Sequence, residues 1–206
     1  MPSLSKVGSK MLDGALPAIS GASLTNLDAR DLENALPAIS GASLTSLPAQ
    51  GITEADQWRL TTSFTANASP ISSNLERVDT DAGAGFGTRM TQSSGIFTFP
   101  STGFWLVGMQ GVGYSTSADS QRFEWRVEVT EDNTNYTTAA TSMDSVKYFS
   151  SLDTWCGDYC QHILDVTNTS LTKVRFCFGA GQGGETCAGN SAATYTGMFF
   201  IRLGDT

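Results

Sequence analysis

The sequence predicts an all-β protein, in which a C-terminal jelly-roll sandwich of about ten strands follows an extended, repeat-bearing N-terminal segment. Short runs of β-branched and aromatic residues follow one another after Glu54 and are separated by Gly-, Asn- and Ser-rich turn clusters. No helical periodicity of convincing length appears in that region. The 206 residues are 40% hydrophobic and 16% charged and include 21 glycines, a balance typical of β-rich globular proteins with many turns.

The N-terminal segment, residues 1–52, contains a repeat: ALPAISGASLT occupies residues 15–25 and again residues 35–45. Pro17 and Pro37 interrupt any helix, so we expect a short helix only over Leu27–Leu36. The large aliphatic residues of the repeats cannot form a core within one chain, but three chains together could bury them around a common axis. A flexible linker is the alternative. The residues expected to serve attachment are Leu16, Ile19, Leu24, Leu36, Ile39 and Leu44.

The second domain, residues 53–206, holds the strand signals. Phe123–Val129 reads FEWRVEV, and its strict alternation predicts that Phe123, Trp125 and Val127 face the core while Glu124 and Arg126 face away. The strands expected in chain order are Trp58–Thr65, Ile96–Pro100, Phe104–Met109, Phe123–Val129, Val146–Ser150, His162–Val166, Leu171–Phe178 and Thr194–Leu203.

Two of these strands are apolar on both faces. A sandwich buries only one face of each sheet, so a single chain would leave the other apolar face exposed, and such patches usually mark an interface. We therefore expect a parallel homotrimer, because cyclic closure avoids open-ended growth. The residues assigned to the trimer interface or the core are Phe104, Trp105, Val107, Phe199, Phe200 and Ile201.

Two stretches resemble a known superfamily. SSGIFTFPSTGFWLV, Ser93 to Val107, looks like the signature of the complement first-component globular head and tumour necrosis factor superfamily, and TYTGMFFIRL, Thr194 to Leu203, is similar to its last strand. The resemblance implies a ten-strand jelly roll that trimerises around aromatic and aliphatic residues. The segment Trp155–Cys160 departs from the pattern, and the calcium sites of the family have no counterpart in the sequence.

The N-terminal part resembles something else. ISGASLTNL looks like the repeated units of bacteriophage stalks and attachment regions, and DQWRLTTSFT followed by NLERV looks like the start of heads on phage virion proteins. This resemblance implies a virion structural protein, made in the host cytoplasm: a short fibre that residues 1–52 attach to other virion proteins and whose head binds a host-surface glycan or protein. A capsid or tail decoration protein with a stabilising role is the alternative. A secreted complement-like protein fits less well, because MPSLSKVGSKMLDG has no apolar signal region and the chain has no collagen stalk.

Charge and hydropathy exclude other partners. The formal net charge is −8, and residues 1–52 carry only −1 of it, so the head is acidic. An acidic domain lacks the basic stripes that neutralise phosphates, so no nucleic-acid partner is expected. No run approaches the ~18 apolar residues of a membrane-spanning helix, so no membrane insertion is expected either.

The cysteines Cys156, Cys160, Cys177 and Cys187 leave two alternatives open. Two local disulfides, Cys156–Cys160 and Cys177–Cys187, are one of three connectivities, and free buried thiols are the other alternative. The spacing fits neither a redox pair nor a zinc site. We expect no metal and no cofactor.

Catalytic signals are weak. A serine hydrolase would need a base, and His162 is the single histidine, with no G-x-S-x-G motif in the chain. The carboxylate pairs Asp79/Asp81 and Glu131/Asp132 leave a glycan-cleaving enzyme as a distant alternative. The glycines at positions 83, 85 and 87 lack a following G-K-[ST] and are better explained as a flexible turn. The sequence therefore predicts a protein that is not an enzyme.

One segment has residues suited to a ligand. Trp155 and Tyr159, expected in loops beside Asp153 and Asp158, would supply stacking and hydrogen bonds for a sugar. Structural packing of the same residues is the alternative.

Overall fold

The computed structural model describes residues 51–80, 82–83, 85–150, 152–181 and 184–206. The repeats, the short helix expected over Leu27–Leu36 and the six attachment residues all precede residue 51 and lie outside this part of the chain. Those expectations and the boundary after residue 52 stay predictions. Within the described ranges, no helix is long and apolar enough to cross a membrane.

Twelve strands form the regular structure of the described residues. In chain order they are β1 Ala55–Leu60, β2 Thr62–Thr65, β3 Leu75–Arg77, β4 Thr91–Ser93, β5 Ile96–Thr98, β6 Gly103–Ser115, β7 Ser120–Thr130, β8 Thr137–Val146, β9 Thr154–Val166, β10 Lys173–Ala180, β11 Glu185–Asn190 and β12 Gly197–Gly204.

The strands form two packed antiparallel sheets. Sheet A has the order β2-β11-β6-β12-β1-β3, with β9 on the other edge of β6, and sheet B has the order β4-β5-β10-β7-β8. The first strand pairs with the last, with Ala55 opposite Ile201. The long strands β6 and β9 pair without a shift from Gly103–Val166 to Ser115–Thr154. The predicted all-β jelly-roll sandwich is confirmed.

A tight hairpin joins β4 to β5. Its two loop residues, Ser94 and Gly95, have φ values of 51° and 79°, which matches the type I′ turn that suits the right-handed twist of paired strands. A Cβ atom at position 95 would overlap the carbonyl of Ile71. Glycine is therefore required there for both backbone conformation and space.

The core lies between the sheets and is filled by aromatic rings. Phe123, Trp125 and Val127 of β7 are fully buried, as predicted. The rings of Trp125 and Phe123 reach the opposite sheet at Gly111 and Gly113 of β6, respectively. A Cβ atom at either glycine would collide with the ring that it faces. The glycines of β6 thus make room for the largest side chains of β7.

The outward face of sheet B is a ladder of ion pairs. Arg126 contacts Glu124 at 3.2 Å and Glu128 at 3.2 Å, and Arg175 contacts Glu128 at 2.7 Å. Glu124 and Arg126 do point away from the core, but Glu124 and Glu128 are only 8% and 7% exposed because neighbouring side chains cover them. Burial alone would raise the pKa of Glu128, but hydrogen bonds from Arg175 and Arg126 hold this pKa below its usual range.

Several expected strand boundaries are wrong. Val146 ends β8 instead of beginning a strand, so Val146–Ser150 is not an element. β9 begins at Thr154, eight residues before the expected start at His162, and absorbs the segment Trp155–Cys160. The short strands β3 and β4, most of β8, and β11 were not expected, and the expected strand Trp58–Thr65 is two strands, β1 and β2.

The four cysteines are free, which favours the second of the two alternatives, free thiols, over the two disulfides. Cys156 and Cys160 lie four residues apart on one extended strand, about 13 Å between Cα atoms, beyond the ~7 Å that a disulfide can bridge. Cys177 belongs to sheet B and Cys187 to sheet A. Burial raises the pKa of the Cys187 thiol to about 12 and that of Cys160 to about 11, which keeps both thiols protonated.

Candidate functional site

The outward face of sheet A carries an aromatic and aliphatic surface, which we call the aromatic face. Alternation along the central strands turns every second side chain away from the core. The members of the aromatic face are Phe104, Leu106 and Tyr114 on β6, Trp155, Tyr159 and Ile163 on β9, Phe199, Ile201 and Leu203 on β12, and Tyr195 just before β12.

Strand register brings these side chains into rows. Ile201 pairs with Leu106, and Leu106 pairs with Ile163, so three aliphatic side chains cross three neighbouring strands. Side chains opposite each other in adjacent strands lie about 5 Å apart at Cβ, within van der Waals reach of one another. The row is therefore a continuous apolar band.

The next row depends on a glycine. Phe199 lies opposite Gly108, and a Cβ atom at position 108 would overlap the ring of Phe199. The ring therefore extends across β6 and stacks near Tyr159, with ring centroids 6.5 Å apart and planes 17° apart. Any side chain at position 108 would force Phe199 away from this position.

A three-ring cluster occupies one end of the aromatic face. Tyr114 and Trp155 are paired across β6 and β9, with ring centroids 4.5 Å apart. Tyr195 meets Trp155 edge-on at 6.2 Å. Offset and edge-to-face arrangements of this kind stabilise aromatic pairs beyond their buried area.

The aromatic face is open to solvent in the single chain. Trp155 and Tyr159 are each 50% exposed and Ile163 is 58% exposed. A cavity of about 150 Å³ adjoins Phe199 and is bordered by the neutral side chains Gln57, Gln110 and Thr194, among others. An exposed apolar surface bordered by uncharged polar groups is typical of an interaction site.

The six residues predicted for the trimer interface or the core divide by alternation. Trp105, Val107 and Phe200 are at most 1% exposed and belong to the core. Phe104, Phe199 and Ile201 lie on the aromatic face. Whether those three contact another copy stays a prediction.

The four predicted ligand contacts do not converge. Trp155 and Tyr159 lie on β9 and not in loops, and they share the aromatic face. Asp158 lies between them in sequence, so alternation turns it to the opposite side of the strand. Asp153 precedes the strand. A joint role of these four residues in one sugar site stays untested and is not favoured by this arrangement.

The sequence interpretation missed other members of the aromatic face, among them Tyr114 and Ile163. A sequence signal for a shared strand face does exist, because Trp155, Tyr159 and Ile163 follow one another at intervals of four residues. Side chains an even number of residues apart lie on the same face of a strand. Gly157 and Asp158, both uncommon in strands, obscured that signal.

The candidate catalytic side chains Asp79, Asp132 and His162 have positions or contacts that a structural role explains. Asp79 is ion-paired with the buried Arg59 at 3.1 Å. The Oδ1 atom of Asp132 accepts hydrogen bonds from the backbone of Thr134 and Asn135, and these bonds hold the pKa of Asp132 well below its usual range. His162 is half-buried on the side of β9 away from the aromatic face. The described residues contain no cluster of three or more potential metal ligands.

Fold and surface together define a jelly-roll sandwich with one unpartnered aromatic face. No family model matches the sequence, and no curated protein matches it significantly. Among solved structures, Eiger TNF from S. frugiperda aligns with a TM-score of 0.55 and 16% identity, covering 76% of this chain and 96% of that chain. Murine APRIL at pH 5.0 aligns with a TM-score of 0.51 and 11% identity, covering 73% of this chain and 98% of that chain. These similarities show that the head has the jelly-roll fold of the tumour necrosis factor family.

Proposed function

We propose that this chain is a structural virion protein of a bacteriophage, a homotrimeric short fibre. Residues 1–52 attach it to other virion proteins, and the jelly-roll head projects and binds the host cell surface. The observation that carries the proposal is the aromatic face, which a single chain leaves open to solvent.

The composition of the aromatic face supports self-association. Interface cores are enriched in Tyr, Trp and Phe, and the aromatic face contains three ring contacts among five aromatic residues, Tyr114, Trp155, Tyr195, Tyr159 and Phe199. The outward face of sheet B, by contrast, pairs its own charges. This contrast supports a partner for sheet A and not for sheet B.

The repeated N-terminal segment supports a fibre. Two copies of ALPAISGASLT bring two equivalent sets of aliphatic residues, which a single chain cannot bury but three parallel chains can. A stalk of this kind would hold three heads together and raise their effective concentration. The segment thus favours three chains, and the aromatic face supports self-association for an independent reason.

Sedimentation equilibrium of the full-length chain at micromolar concentration tests the oligomeric state. We expect a mass near three times the 21.8 kDa of one chain. A stable, non-aggregating monomer would contradict both the trimer and the fibre.

Negative-stain imaging of the native particle, labelled at the C-terminus of this chain, tests the virion role. Label at the tail supports host attachment, and label over the capsid supports the decoration role instead. Absence of label from any particle would contradict the virion assignment. An array of defined glycans, probed with the full-length chain, then tests whether the head binds sugar.

A further inference from the structure

The described residues of the β8–β9 loop, 147–150 and 152–153, include the two most exposed large apolar side chains of the described part of the chain. Phe149 is 59% exposed and Leu152 is 70% exposed. Neither belongs to a strand, and neither contributes to the core. Exposed apolar side chains of this size have an unfavourable hydration free energy, which burial against a partner would remove.

Hydrogen bonds restrain the described residues of this loop. An isolated bridge joins Phe149 to Leu152, whose backbone N–H donates to the carbonyl of Phe149 at 3.0 Å. Lys147 forms an ion pair with Asp119 of the β6–β7 loop at 2.7 Å, and the N–H of Tyr148 donates to the same carboxylate at 2.8 Å. The hydrogen bond from Lys147 is the main reason that the pKa of Asp119 is lowered. A loop fixed in this way loses little conformational entropy when it binds.

The loop lies at the same end of sheet A as the cluster of Tyr114, Trp155 and Tyr195. β9 begins at Thr154, directly after the loop, and Thr154 pairs with Ser115 at the end of β6. Nevertheless, Phe149 and Leu152 do not cover their own cluster, because both stay exposed and Trp155 remains 50% exposed. One chain thus has two exposed apolar groups close together, the loop side chains Phe149 and Leu152 and the ring cluster of the aromatic face.

The flat part of the aromatic face is small for a stable assembly. β6 and β9 have 13 residues each, and β12 has 8. At ~3.3 Å per residue and ~4.8 Å between strands, these three strands outline about 540 Å². A stable interface buries about 800 Å² on each partner, and each copy in a ring meets two neighbours. Parts of the chain beyond the sheet must add contact area.

We propose that the β8–β9 loop of each copy docks on the Tyr114–Trp155–Tyr195 cluster of the neighbouring copy, with Phe149 and Leu152 against the exposed rings. The proposal rests on the homotrimer of the proposed function and extends the aromatic face past the end of the sheet. A projection that meets a different surface is a heterologous contact, and a contact of this type forms a ring when the rotation between copies closes, as it does in a trimer. The partner that covers the ring cluster is therefore a second copy of this chain. The alternative is a trimer in which the β8–β9 loops stay exposed to solvent.

Cysteine cross-linking of the full-length chain tests the contact. The double variant Leu152→Cys/Tyr195→Cys should form a disulfide between chains under mild oxidation, visible as dimer and trimer bands on a non-reducing denaturing gel. Each single variant should stay monomeric on that gel. The native thiols can remain, since Cys160, Cys177 and Cys187 are buried and Cys156 is partly buried.

Leu171 provides a matched control. It is 43% exposed and lies in the β9–β10 loop, which follows Val166 at the opposite end of the sheet. Leu171→Cys/Tyr195→Cys should therefore not cross-link. In a second measurement, Phe149→Ser/Leu152→Ser should raise the trimer dissociation constant at least ~10-fold, and Leu171→Ser should leave it unchanged.

The outcomes separate this inference from the proposed function. A trimer by sedimentation with no cross-link in the Leu152/Tyr195 variant, and with an unchanged dissociation constant in the serine variant, overturns the docking and leaves the trimer intact. A monomeric parent chain overturns both. An intrachain disulfide in the double variant, with no higher bands, would show that the loop folds back on its own cluster.

Discussion

The two outward faces of this sandwich differ in the side chains that they expose. Each sheet buries one side in a shared core, and each must then present its other side to the surroundings. On sheet B, Arg126 and Arg175 neutralise Glu124 and Glu128 within the chain. On sheet A, aromatic and aliphatic side chains stand open, with Ile163 58% exposed.

The difference shows which face has its side chains paired within the chain and which face has apolar side chains without a cover. Ion pairs satisfied within one sheet gain nothing from a partner and would lose hydration if covered. Apolar side chains, in contrast, gain free energy roughly in proportion to the area that a partner covers. The same fold therefore has one face suited to solvent and one suited to a partner, and three substitutions and one deletion can test that division.

The largest expected effect is on the core that the two faces share. Trp125→Ala should lower the free energy of unfolding by about 3–5 kcal/mol, because it removes a fully buried indole that packs over Gly111. Urea denaturation monitored by circular dichroism measures the loss. A variant that unfolds at the parent urea concentration would mean that β7 does not face the core with this side chain.

The second effect separates the two faces directly. Ile163→Arg places a charge on the aromatic face and should raise the trimer dissociation constant at least ~100-fold, or about 2.7 kcal/mol, because the charge would be desolvated in the contact. Met143→Arg is the matched control, since Met143 is 55% exposed on β8 of sheet B. Sedimentation of both variants gives the comparison, and equal weakening by the two would remove the distinction between the faces.

The third effect concerns the ion-pair ladder and its pH dependence. The pKa of Glu128 is lowered in the folded chain, so its contribution to stability is present above the unfolded-state pKa near 4.5 and is lost as pH falls through the folded value. Glu128→Gln should cost about 1–3 kcal/mol at pH 7, and the difference from the parent should shrink at pH 3.

The exposed turn residue Glu131 supplies the control for this experiment. Glu131→Gln should leave the unfolding free energy unchanged at both pH values, because the carboxylate of Glu131 forms no ion pair within the described residues. A Glu128→Gln variant whose deficit is the same at pH 3 and pH 7 would show that the loss is not electrostatic.

The smallest effect on the head is expected from shortening the N-terminal segment. Deletion of residues 26–45 removes one repeat unit and should leave the melting temperature of the head and its trimeric mass unchanged, because the head has its own core. Binding to the larger assembly should weaken. Loss of head folding in this deletion would mean that the two parts form a single domain.

The fold was predictable from the sequence where a strand has one buried apolar face and one polar face. FEWRVEV on β7 shows the alternation openly, and the apolar runs of β6 and β12 mark strands covered on one side by the core and rich in apolar groups on the other. β8 reads TTAATSMDSV and carries almost no alternation, since it is the edge strand of sheet B. Its position follows from pairing with β7, which a local pattern does not contain.

The candidate site was predictable in composition but not in geometry. Trp155 and Tyr159 stand out as aromatic residues in a polar segment, yet Gly157 and Asp158 made that segment resemble a loop. The register with β6 holds it extended over its whole length. The free thiols likewise follow from strand geometry, because residues four apart in sequence are close in a turn and distant in a strand.

The pairing of β1 with β12 has a consequence for biosynthesis. Ala55 lies opposite Ile201, so the first strand of the head has its place only once the last strand exists. A growing chain cannot complete sheet A during most of its synthesis, and pairings this distant in sequence form slowly. The β12 part of the aromatic face is therefore added last, and a chain truncated before β12 lacks Phe199, Ile201 and Leu203.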